Sequence, residues 1–173
     1  TVSSSERLYN NHAMQDKLLA AYKEKCVGQK TLIFNNGIAT SQYVYATFQE
    51  AGFDIKHLDH THTTKERKDI LQWFREKKDA ILTSVSILTT GFDEPTVECI
   101  ILNRATKSLT LYFQMIGRGS RVLPEKKEFK VIDLGNNLHR FGLWDEPVNW
   151  PSIFETPELY LDGIPSDEFI EIN

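Results

Sequence analysis

The sequence predicts an α/β fold, a parallel central sheet with helices on both faces, and three observations predict it. Five short apolar runs are spread along the chain, each too short to be a helix. The stretches between them carry apolar residues at helical spacing, bounded by glycines and capping residues. The runs themselves are nearly continuous in apolar residues rather than alternating, as in strands buried on both faces. Ligands of such sheets gather at the carboxyl ends of the strands.

The elements follow in order. Ser3 to Cys26 reads as a helical lead-in, with Met14, Leu18, Leu19 and Tyr22 on one stripe and Gly28 as its stop. Thr31 to Phe34 is a buried strand ended by Asn35-Asn36-Gly37. Thr40 or Ser41 can cap the next helix, which turns Val44, Phe48 and Ala51 inward and stops at Gly52. Asp54 to Leu58 forms a second strand. Thr63 and Glu66 stand at capping-box spacing before a helix carrying Ile70, Leu71 and Phe74 on one side. Ala80 to Thr83 and Glu98 to Leu102 are the third and fourth strands, separated by a turn-rich loop, Thr89 to Pro95, that contains Asp93. Phe129 to Leu134 is the fifth. After Gly135 periodicity is lost, and Trp144, Pro147, Trp150, Pro151 and Pro157 are scattered through an acidic stretch. The expected division is a lead-in at 1–28, a body at 29–140 and a tail at 141–173.

With 173 residues, the chain can build one ordinary core plus an appendage. Apolar residues at 40% and charged residues at 25% are those of a soluble globular protein. No apolar run is long enough to cross a membrane, and no signal-peptide pattern opens the chain. A start at Thr1, without methionine, suggests a fragment of a longer protein. Cys26 and Cys99 make no framework, so free thiols in a reducing cytoplasm are the expectation. The net charge of −4 is unevenly divided. All 20 basic residues precede residue 141, whereas eight acidic residues and no Lys or Arg follow Arg140. The body is mildly basic, which permits contact with a phosphate backbone, and the tail is acidic.

The stretch Tyr112 to Arg121 concentrates the chemistry. Leu109, Tyr112, Phe113 and Ile116 fall on one helical stripe, and Gln114, Arg118 and Arg121 fall opposite it. Gly117 and Gly119 leave room for a bound group. Arginine suits an anion site because its planar fork holds two oxygens and its charge does not titrate away. Two other strings are set aside. Gly28-Gln29-Lys30-Thr31 imitates the end of a P-loop but lacks the first glycine and leads into a strand. His57, His60 and His62 lack the cysteines or carboxylates of a metal set and read as a polar loop.

Gln114-x-x-Gly117-Arg118-x-x-Arg121 resembles motif VI of superfamily 2 helicases. Thr31 to Asn36 resembles motif IV, and Ala80 to Pro95 resembles motif V. From Thr31 to Asp133 the chain is similar to the second RecA-like (P-loop NTPase-like) domain of those proteins. Gly91-Phe-Asp-Glu-Pro95, followed by Arg104-Ala-Thr-Lys-Ser-Leu109 and Gln114-Met-Ile-Gly-Arg-Gly119, is similar to the branch of bacterial DNA-repair helicases and restriction-enzyme motor subunits.

The resemblance implies roles. Arg118 and Arg121 would contact the γ-phosphate of ATP, and Gln114 would couple the site to a partner domain. Gly91, Asp93 and Gly117 would line the nucleotide. Val85 stands where motif V commonly has a phosphate-holding threonine, so Thr83, Ser84 or Ser86 would substitute, and Asn35 and Ser108 either touch the nucleic-acid backbone or serve as caps. The P-loop and the Mg²⁺-binding Asp-Glu motif would belong to an N-terminal RecA-like domain, so the chain alone is expected to hydrolyse no ATP. DNA is the expected track, with RNA open. The alternatives are a restriction-enzyme motor subunit or a non-catalytic helicase-like interaction module.

Overall fold

The computed structural model describes residues 11–85, 94–106, 115, 130–137 and 139. Helix α1, His12–Lys25, begins at Asn11, whose side chain accepts a hydrogen bond from the Met14 amide (2.9 Å). It closes with Lys23 and Lys25 in its last turn, where the carbonyl ends favour cations. Leu18 and Tyr22 of the expected stripe are buried. Strand β1 is Thr31–Asn35, buried throughout.

Helix α2, Ile38–Glu50, starts earlier than expected. Gly37 is its N-cap, while Thr40 and Ser41 fall within the first turn and are buried. The Ser41 hydroxyl is engaged across the sheet rather than with its own helix. Val44 and Phe48 point inward as expected, whereas Ala51 is exposed at the helix end. Gly52 takes φ +88°, which lets the Phe53 amide turn back onto the Phe48 carbonyl (3.0 Å).

Strand β2 is Ile55–Leu58 and helix α3 is Thr64–Glu76. The capping box forms as the sequence predicts. Thr63 Oγ1 accepts from the Glu66 amide (3.2 Å), and Glu66 accepts from the Thr63 amide (2.7 Å). Strands β3 (Ile81–Ser84), β4 (Cys99–Asn103) and β5 (Lys130–Asp133) complete the set.

The sheet order is β2-β3-β1-β4-β5, with every pairing parallel. The step from β1 to β2 and the return from β2 to β3 run in opposite directions. Right-handed crossovers therefore put α2 and α3 on opposite faces. The core divides accordingly. Leu32, Phe34, Leu82, Ile100 and Leu102 pack with Phe74 of α3 and with Met115. Ile33, Ile81, Cys99 and Ile101 pack with Leu18 and Tyr22 of α1 and with Val44 and Phe48 of α2. The lead-in helix is thus built into the same core as the sheet.

Two details at the amino ends of the strands matter later. Lys30, the lysine of the rejected P-loop string, is buried and donates to the Arg75 carbonyl at the end of α3 (2.8 Å). The expectation of free thiols is overturned: Cys26 and Cys99 are joined in a disulfide that ties the end of α1 to the first residue of β4. Their Cα atoms lie 6.4 Å apart, because both side chains face the same layer. The step from free thiols to a reducing compartment therefore falls away.

Candidate functional site

At the carboxyl ends of the strands the apolar runs give way to polar residues. Asn35 of β1 pairs with Asn103 of β4, and Thr83 of β3 pairs with His57 of β2. Asn35, Thr83 and Asn103 are each at most 1% exposed, so each polar atom must find an internal partner or lose its water uncompensated.

All but Asn103 Oδ1, which has no hydrogen-bond partner among the described residues, join one continuous chain. Asn103 Nδ2 donates to Asn35 Oδ1 (2.8 Å). Asn35 Nδ2 donates to Thr83 Oγ1 (2.8 Å) and to the Ser84 carbonyl (3.3 Å). Thr83 Oγ1 lies 2.9 Å from Ser41 Oγ, which lies 2.7 Å from His57 Nδ1. His57 Nε2 lies 2.5 Å from Asp59 Oδ2. Asp59 also accepts from the amide (2.7 Å) and hydroxyl (2.6 Å) of Thr61.

The proton positions along this ladder are determined by its two ends. Burial raises the Asp59 pKa, but the hydrogen bonds from Thr61 and His57 outweigh it and hold the carboxyl at about 2. Asp59 is then ionised and only accepts, so the His57 proton sits on Nε2. Burial lowers the His57 pKa, the Asp59 bond opposing, and the neutral ring accepts at Nδ1. Ser41 must donate there and Thr83 must donate to Ser41, in line with the amide of Asn35. Every donor points from Asn103 toward Asp59. A second proton on His57 would set two donors against each other at Ser41.

Of the expected nucleic-acid contacts, Asn35 is buried with its amide committed to Thr83, Ser84 and Asn103. Ser84 is buried and donates to the Ile33 carbonyl (3.0 Å). Both join strand to strand beneath the surface. Ser108, Gly91, Asp93, Gln114, Gly117, Arg118 and Arg121 lie outside the described residues. Their neighbours are placed, however. Met115 is fully buried against the α3 face of the sheet. It belongs to neither the expected inward stripe nor the expected polar side. Glu94, next after Asp93, is bonded to Arg75 Nε (3.1 Å) at the end of α3. The chain has therefore reached the amino ends of the strands by residue 94.

β4 leads into Arg104, Ala105 and Thr106, all buried. Arg104 Nη1 donates to the Asn35 carbonyl (3.5 Å). Asn137, fully buried, donates to the Arg104 carbonyl (2.7 Å) and accepts from the Thr106 amide (2.9 Å).

The family profile of the helicase conserved C-terminal domain matches residues 12–122. The chain belongs to that family. The helicase domain is 32% identical to the "Putative ATP-dependent helicase IRC3" of Saccharomyces cerevisiae, over 73% of this chain and 19% of IRC3. It is 32% identical to the EcoKI type I restriction enzyme endonuclease subunit of Escherichia coli, over 66% of this chain and 11% of that subunit. A 51.5 kDa protein of a Lactococcus phage is 32% identical over 85% of this chain and 34% of its own length. The helicase domain thus spans about a third or less of these relatives. Its fold matches the C-terminal domain of the DEAD-box protein Dbp5 (TM-score 0.59, 21% identity, 90% of this chain, 83% of that one). It also matches domain 2 of the DEAD-box helicase Mss116p (TM-score 0.61, 17% identity, 95% of this chain, 68% of that one). The RecA-like C-terminal fold of superfamily 2 helicases, expected from the motifs, is the fold observed.

Within the helicase domain, sequence reading missed the parts played by Ser41, Asp59, Asn103, Arg104 and Asn137 in these buried bonds. A signal existed for some. Three apolar runs end in buried polar residues, Asn35, Thr83-Ser84 and Asn103, and aligning the run ends across a sheet would have grouped them. No local signal joins Ser41 to His57, because only the crossover brings them together. Among the described residues, no group of three His, Cys, Asp or Glu is placed to hold a metal. No described helix is long and apolar enough to cross a membrane.

Proposed function

We propose that this chain is the C-terminal half of an ATP-dependent DNA helicase or translocase. In this reading Arg118 and Arg121 close onto ATP held by an N-terminal RecA-like domain, with Gln114 coupling the two halves. Gly91, Asp93 and Gly117 border the nucleotide, and the partner domain holds Mg²⁺, whose charge offsets that of the phosphates. Phosphoryl transfer is mostly positioning and charge stabilisation, so a half carrying the arginines without the phosphate cradle is inactive alone.

The observation that carries this reading is the string Gln114, Gly117, Arg118, Arg121 on a RecA-like domain of this family. DNA is favoured by likeness to a restriction-enzyme subunit.

The test is ATP turnover by the full-length parent with single-stranded DNA, duplex DNA or RNA, in wild type, Arg118→Ala and Arg121→Ala. DNA-stimulated turnover reduced about 10³-fold or more by Arg118→Ala is the expected result. Unchanged turnover in that variant refutes the reading, and stimulation by RNA alone replaces DNA as the track.

A further inference from the structure

Thr106 is the last described residue before the stretch that carries Gln114, Arg118 and Arg121. The turn after β5 holds it. Asn137 uses both ends of its amide on the departing peptide. Nδ2 donates to the Arg104 carbonyl (2.7 Å), and Oδ1 accepts from the Thr106 amide (2.9 Å). The second proton of Nδ2 goes to Asp133 Oδ1 (2.9 Å), which also accepts from the Gly135 amide (3.2 Å). Gly135 lies so close beneath this peptide that a Cβ would run into the Arg104 carbonyl and the Ala105 amide. Residues 133, 135 and 137 thus grip Arg104 to Thr106 by carboxylate, backbone contact and amide.

The chemistry of the grip is specific. Asn137 must both donate and accept, toward a carbonyl and an amide two residues apart, which an apolar side chain cannot do. Asn137 is fully buried, and Asn136 beside it takes φ +58°, so the turn is shaped to deliver that amide. Packing alone would be satisfied by an apolar side chain. A grip on backbone atoms holds Arg104 to Thr106 in one position.

We propose that Asn137, supported by Asp133 and Gly135, is a positioning residue for ATP hydrolysis, acting by fixing the root of the arginine-bearing segment. This rests on the motor reading above. Small misplacement of charged groups at a phosphoryl-transfer site costs rate more than binding. Loss of the Asn137 grip therefore lowers kcat while leaving KM for DNA nearly unchanged.

The experiment compares nucleic-acid-stimulated ATPase of the full-length parent in wild type, Arg118→Ala, Asn137→Ala and Leu18→Ala. Leu18 is buried in α1, outside the proposed machinery, and its truncation controls for lost stability. Asn137→Ala is expected to lower kcat about tenfold or more, with KM for DNA changed less than about threefold. Leu18→Ala is expected to lower Tm without that loss of kcat. A kcat loss in Asn137→Ala no larger than in Leu18→Ala overturns the proposal. Should the alanine variant not fold, Asn137→Asp keeps the volume and the acceptor for Thr106 but sets two carboxylates together. It loses the donations to the Arg104 carbonyl and to Asp133, so its kcat should also fall about tenfold or more. A kcat within about threefold of wild type in that variant overturns the proposal. If Arg118→Ala leaves turnover intact, the motor reading fails. If Arg118→Ala abolishes turnover and Asn137→Ala behaves like the control, only the positioning role fails.

Discussion

Replacing Asp59 by asparagine tests the buried ladder quantitatively. Asp59 is 2% exposed, and the Thr61 and His57 bonds hold its pKa at about 2 against an ordinary 3.8. At about 1.4 kcal/mol per unit, that depression is worth about 2.5 kcal/mol of folding stability at neutral pH. The folded pKa lies below the unfolded one, so the contribution is fully present above pH 3.8 and is lost as pH falls toward 2. Asp59→Asn removes the charge and nearly conserves the shape. It should cost about 2.5 kcal/mol at pH 7, and the gap from wild type should close to about half that at pH 3. His57 acts in the same direction from a higher pH. Its pKa is lowered by burial, so wild-type stability begins to fall as pH drops below the ordinary 6.5. Urea unfolding of both proteins at pH 7, 5, 4 and 3 measures the gap. A difference below about 0.5 kcal/mol at pH 7, or one independent of pH, would refute the ladder as drawn.

The other predictions concern the frame. Alkylation of the unfolded, unreduced chain should label neither Cys26 nor Cys99, and both after reduction. Closing a separation of 73 residues, the bond should be worth up to about 4 kcal/mol, and identical melting with and without reductant counts against it. Thr63→Ala should cost about 1 kcal/mol through loss of the α3 capping box, with Thr63→Ser restoring most of it; equal losses in both would point elsewhere. Leu18→Ala should cost about 2–5 kcal/mol if α1 belongs to the core, and a loss near zero would make it a detached lead-in.

The strands and the helices between them were legible because each rests on a local rule: continuous apolar runs, the Thr63–Glu66 box, and Gly52 as a stop. The start of α2 was misplaced because Thr40 and Ser41 are good caps in isolation. Their burial, and the bond from Ser41 to His57, are properties of the crossover rather than of the local string. The disulfide was hidden for the same reason. Nothing near Cys26 or Cys99 marks them as partners until β4 lies beneath α1. Asn35 and Ser84 were read as nucleic-acid contacts, and sequence did not reveal that they have partners inside the fold. Asn137 went unread because its grip is on backbone atoms, which leave no trace in residue identities elsewhere.

The two ends of the sheet do different work. At the amino ends, Lys30, Arg75 and Glu94 are tied together through the α3 terminus, and the Glu98 amide bonds to the Lys30 carbonyl (2.9 Å). At the carboxyl ends, the ladder from Asn103 to Asp59 holds four strands at one level. The chain that carries Gly91 and Asp93 departs from Val85, whose amide bonds to the Leu58 carbonyl (3.0 Å), and is caught again at Glu94 by Arg75. The chain that carries Arg118 and Arg121 departs from the Asn137 grip and is pinned at Met115. Loops can hold catalytic groups to a fraction of an ångström only if rigid elements define where they begin and end. In this domain those roots are set by buried polar bonds rather than by apolar packing alone. On the motor reading proposed above, substitutions at Asp59, Asn103 or Asn137 should therefore lower ATP turnover by the full-length parent more than equally destabilising substitutions in the apolar layers.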